Sequence, residues 1–133
     1  MKLLETKPRC YVVAAESEYD RNNATHSLAF ARIPYRLVDG AYRGKHEHGL
    51  LLVGCSIASA RAVATMLGQL SFLVIAENDR MTYEVHVDRP FHKALGRFRE
   101  VSQDVAMDAN AYTRIGQRYY VATGGGVDLP EGL

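Results

Sequence analysis

The sequence predicts an α+β domain of the ferredoxin-like class: a β-α-β-β-α-β core with additional C-terminal strands. Three observations carry that expectation. Short β-rich apolar runs alternate with two segments of helical periodicity as far as Ala76. The second of those segments has both an N-cap and a C-cap signal. Beyond Ala76 the strand pattern continues, so the chain holds more strands than such a core needs.

The elements follow in order. RCYVVAAE (residues 9–16) is apolar and β-branched and reads as the first strand. SEYDRNNATHSLAFARI starts a helix: Ser17 caps it, Glu18 and Asp20 suit its first turn, and Ala24, Leu28 and Ala31 share one face. Pro34 stops it. YRLVDGAYR is a second strand, ending near Asp39-Gly40. HGLLLVGC, apolar on both faces, is a central third strand. SIASARAVATMLG is the clearest helix, with Ser56 at the N-cap, Gly68 at the C-terminal cap, and Ile57, Ala60, Val63, Ala64 and Leu67 as its buried stripe. SFLVIAE and MTYEVHV are the fourth and fifth strands, joined through Asn78-Asp79-Arg80. FHKALGRFREV is expected to hold a helical turn and then a short strand over 97–101. AYTRIGQRYYVAT is a hairpin turning at Ile115-Gly116. In this scheme both helices cover one sheet face. The other, with Leu51, Val53, Leu73 and Ile75 as candidate lining, needs a cover, and a neighbouring subunit is the expected source of part of it.

The chain has 133 residues, the length of one domain. Residues 1–123 are read as that domain and 124–133 as a flexible Gly-rich tail. Apolar residues make up 47% and charged residues 23%, which argues against disorder. A formal net charge of +1 gives no field to gather nucleic acid or an anionic membrane. No apolar run reaches membrane-spanning length, and MKLLETKPRC turns polar too early for a signal peptide, so the cytoplasm is the expected compartment. Cys10 and Cys55 lack a C-x-x-C spacing and read as buried thiols.

Chemistry concentrates in GAYRGKHEHGLLLVGCS, residues 40–56. Extended backbone places His46 and His48 on one side. Two histidines alone are a poor zinc site, which wants three or four ligands. Glu47 is the acid between them, and solvated loop is its competing reading. Tyr42 competes with strand-end packing and Glu84 with a solvent-facing strand position. Tyr119-Tyr120 fits strand propensity better than a base-stacking platform. The triple glycine at 124–126 lacks the strand-before, helix-after context of a phosphate loop.

Four stretches resemble the phage-encoded S-adenosylmethionine lyases, formerly called hydrolases: CYVVAAE, GAYRGKHEHG, LLLVGCSIASARAVATML and LGRFREVSQDVAMDANAYTRIGQRYYVAT. The loop between Tyr42 and Glu47 is several residues shorter than in that family. The resemblance implies a homotrimer with a ferredoxin-like, PII-like core and active sites at subunit interfaces. It implies Tyr42 and Glu47 as catalytic residues, and Glu84 joins them as a further candidate for substrate binding. It implies cleavage of S-adenosylmethionine without metal or cofactor, in a host cytoplasm, as a counter to restriction–modification. A nucleotide-binding module of PII-like build, acting as sensor or sponge without catalysis, is the second function class. A metal-dependent hydrolase using His46 and His48 is the third.

Overall fold

The computed structural model describes residues 8–42, 45–90 and 92–124. Eight strands form β1 (Pro8–Ala15), β2 (Tyr35–Tyr42), β3 (Lys45–Val53), β4 (Ser71–Ala76), β5 (Met81–His86), β6 (His92–Val101), β7 (Ala111–Ile115) and β8 (Arg118–Gly124). Three helices, α1 (Glu18–Phe30), α2 (Ile57–Met66) and α3 (Gln103–Asp108), complete the elements of the described residues. The Gly-rich tail expected from the sequence falls, from residue 125 onward, outside the described residues.

The strands pair antiparallel in a ring, β1-β3-β2-β7-β8-β6-β5-β4, with β4 returning to β1. This overturns the ferredoxin-like, PII-like α+β class. The fold is a mostly antiparallel closed barrel of eight strands with short helices. The chain does run strand-helix-strand-strand-helix-strand through Ala76. In an open sheet, however, β2 and β4 would be its edges. Here β2 takes β7 as a neighbour and β4 takes β5. The strands beyond Ala76 are therefore half of the wall rather than an appendage.

The residues that bend the sheet shut are local. Leu95 has no partner of its own between the pairs Thr82–Gly96 and Tyr83–Ala94, which makes a β-bulge in β6. Gly96 has φ 122°, a conformation side-chain-bearing residues avoid. The expected helical turn after Pro90 is absent: residues 92–101 are one strand, paired to β5 on one side and β8 on the other. Those two ladders outweigh the helix-forming character of Lys-Ala-Leu.

Alternation sorts the strands into two faces. Tyr11, Val13, Leu50, Leu52, Phe72, Val74 and Val85 point outward into the main core. There they meet Ala24 and Leu28 of α1, and Ala60, Val63 and Ala64 of α2. Burying each of the larger side chains contributes about 1.5–3 kcal/mol. Both helices start on serine caps: Ser17 accepts from the Asp20 amide and Ser56 from the Ser59 amide, each at 3.1 Å. The opposite parity, Val12, Ala14, Leu51 and Leu73 among it, faces the barrel interior. That face is covered by the chain's own β5–β8, which removes the need for a neighbouring subunit to cover it. Of its expected lining, Leu51 and Ile75 are buried, while Val53 is exposed.

Candidate functional site

One end of the barrel interior is hollow. The cavity measures about 820 Å³, inside the roughly 300–1,000 Å³ range of small-molecule sites. It exists because several positions that face it are small: Ala14 on β1, Gly40 on β2, Gly49 on β3 and Ala122 on β8. Gly40 is required by its surroundings as well, because a Cβ there would run into the carbonyl oxygen of Tyr112 on β7.

The three residues singled out in the sequence, Tyr42, Glu47 and Glu84, all line this cavity. They come from β2, β3 and β5; Glu84 lies in the lateral row of Leu73, Val12 and Leu51, four residues along β3 from the row of Glu47. Tyr42 is exposed at the end of β2. Glu84 accepts a hydrogen bond from the Ser71 hydroxyl at 2.8 Å, which fixes its carboxylate on the wall. It stands directly across from Lys93 on β6.

Glu47 is half-buried, and burial pushes its carboxyl above the usual carboxylate value. The charge of Glu16 acts in the same direction, while Lys45 and His46 pull it down; burial prevails. A carboxylate held in this way gains more than an exposed one from meeting a cation.

Asp39 lines the cavity too, but its charge is already engaged. Arg21 Nη1 and Arg114 Nη2 each lie 3.5 Å from it. His48 Nδ1 lies at 3.4 Å, a proximity without hydrogen-bond alignment. Arg21 is buried and also donates to the Val38 carbonyl at 3.1 Å, so it pins the stretch of β2 that carries Val38, Asp39 and Gly40. Among the described residues lining the cavity, Glu16, Asp39, Glu47 and Glu84 carry carboxylates, and Lys93 is the only lysine or arginine. With Asp39 engaged by its two arginines, Glu16, Glu47 and Glu84 still outnumber Lys93, so the described lining is acidic.

His46 and His48 share a face and meet edge to face at 5.1 Å. Among the described residues no group of three or more His, Cys, Asp or Glu side chains is arranged to hold a metal ion. Of the other lining residues, Glu16, Ser71, Lys93 and Phe98 were left unremarked by sequence reasoning and Tyr120 was assigned to strand propensity, although strand parity alone places Glu16 on the face of Val12 and Ala14. No helix among the described residues is long and apolar enough to cross a membrane. Comparison of the sequence with protein-family models and with curated proteins finds no match.

Proposed function

We propose that this chain binds S-adenosylmethionine in the barrel cavity and cleaves it to 5′-methylthioadenosine and homoserine lactone. The observation that carries the reading is the convergence of Tyr42, Glu47 and Glu84 on one acidic cavity large enough for such a ligand. The substrate brings a net positive charge, and an acidic lining suits it where a carboxylate meets the ammonium end. A phosphorylated nucleotide brings the opposite charge, so the same lining disfavours a sponge for signalling nucleotides.

The reaction asks little of the protein's own acids and bases. An oxygen of the substrate's carboxylate attacks its γ-carbon. The new carbon–oxygen bond forms as the carbon–sulfur bond breaks, and the electron pair leaves on sulfur to give a neutral thioether. No proton moves. The barrier falls when the methionine arm is held folded, and such orientation is worth roughly 7–11 kcal/mol. Glu47 holds the ammonium and so anchors the arm. It works at that end rather than at sulfur, because positive charge at sulfur disappears in the transition state and stabilising it would slow the step. Tyr42 donates to a substrate oxygen. Glu84, oriented by Ser71, offers a second acidic contact.

Purified protein incubated with S-adenosylmethionine is expected to release methylthioadenosine above a protein-free control, with homoserine lactone as the co-product. Homoserine appearing first, carrying oxygen from labelled water, identifies hydrolysis instead. Absence of methylthioadenosine at enzyme equal to substrate refutes the proposal, and ligand bound but recovered intact identifies a binding module.

A further inference from the structure

We infer that the stacked rings of Phe98 and Tyr120 form the seat for the ligand's planar base, which makes Tyr120 a binding residue of the cavity; this rests on the adenine-bearing ligand proposed above. The two rings lie parallel, with an interplanar angle of 2° and centroids 5.1 Å apart. Both line the cavity. Phe98 is buried, whereas Tyr120 keeps part of its surface open. Ala122, directly across from Phe98, is too small to cover the pair.

The register joins this platform to the acidic end. Glu47 pairs with Gly40, Gly40 with Thr113, and Thr113 with Tyr120. These four residues form one lateral row across β3, β2, β7 and β8. Neighbouring strands lie about 4.8 Å apart, so the row runs roughly 14 Å along the curved wall. Between the carboxylate and the ring stand a residue without a side chain and a threonine. The row is thus a shallow track, anionic at one end and aromatic at the other. An elongated ligand with an ammonium at one end and a heterocycle at the other matches it. Stacking tolerates many bases, so Tyr120 supplies affinity for a flat ring rather than recognition of one base.

The test uses 5′-methylthioadenosine, which keeps the base and lacks the charged arm. Calorimetry on the full chain should show binding. Tyr120→Leu should weaken it by roughly 5- to 150-fold, the worth of one base–aromatic stack, and Tyr120→Phe should restore it to within about twofold. In the unaltered protein, nuclear Overhauser contacts should join the base protons to the Tyr120 ring, a readout that does not depend on any variant folding. No binding by the unaltered protein, contacts that map elsewhere, or a folded Tyr120→Leu chain with undiminished affinity would each overturn the inference. Cleavage of S-adenosylmethionine that ignores Tyr120 removes the base seat and leaves the proposed reaction standing. Binding that depends on Tyr120 without any cleavage does the reverse.

Discussion

Replacing Glu47 by Gln separates what this side chain costs the fold from what it gives the site. Burial, reinforced by Glu16, raises the carboxyl of folded Glu47 above its ordinary value of 4.5. The folded chain therefore holds that proton more tightly than the unfolded chain does. Charged Glu47 is penalised in the folded state at neutral pH, and the penalty fades as pH falls through the raised value and is gone below the unfolded one. Gln keeps the shape without the charge. Glu47→Gln should thus be more stable than the parent at about pH 7, with the difference closing toward about pH 4, as read from urea midpoints. Turnover should move the other way. Losing one charge-assisted contact to the substrate ammonium costs about 1.5–3 kcal/mol, which is roughly 10- to 150-fold in kcat/KM. Acid should mimic the substitution, so activity of the parent should begin to fall at a pH above the usual carboxylate range. A variant within about threefold of the parent in kcat/KM, or one less stable than the parent at neutral pH, refutes this reasoning.

Three further outcomes follow from the geometry. Arg21→Met leaves the Val38 carbonyl and the Asp39 carboxylate without their buried partner and should cost about 2–4 kcal/mol in urea unfolding; Arg21→Lys should recover only part, because one ammonium cannot serve both sites as the guanidinium fork does. Gly40→Ala drives a methyl into the Tyr112 carbonyl and should destabilise by about 1–3 kcal/mol in thermal unfolding, and a change near zero would show that β2 and β7 part more readily than their register implies. Ser71→Ala frees the Glu84 carboxylate it now orients at 2.8 Å, so KM should rise while kcat holds, and an equal fall in kcat would place Glu84 at the transition state.

The helices and the first strands were legible because each carries its own local signal: a serine cap, a stripe at helical spacing, a β-branched run between turn residues. Tyr42 and Glu47 were singled out by resemblance and Glu84 by its distance from Glu47, whereas strand alternation alone favoured a solvent-facing Glu84; all three line the cavity. Closure was not. Whether β2 ends a sheet or meets β7 depends on pairings between residues as distant as Gly40 and Thr113, and no local pattern encodes the partner of an edge. The bulge at Leu95 shifts the parity of β6, so the inward position of Phe98 could not be counted out from Pro90. Tyr119 and Tyr120 look alike as neighbours. Register alone sends Tyr120 to the row of Gly40 and Thr113 and leaves Tyr119 opposite Arg114. The short α3 escaped notice although Ser102 caps it by accepting from the Val105 amide, because six residues are too few to show a periodic stripe.

A ring of strands has one further implication. The wall around the hollow belongs to a single polypeptide, so the chamber is assembled once, during folding, and does not come apart when protein is diluted. Its girth is set by how many strands make the circuit, which leaves passage through an open end as the way for a guest to arrive and depart.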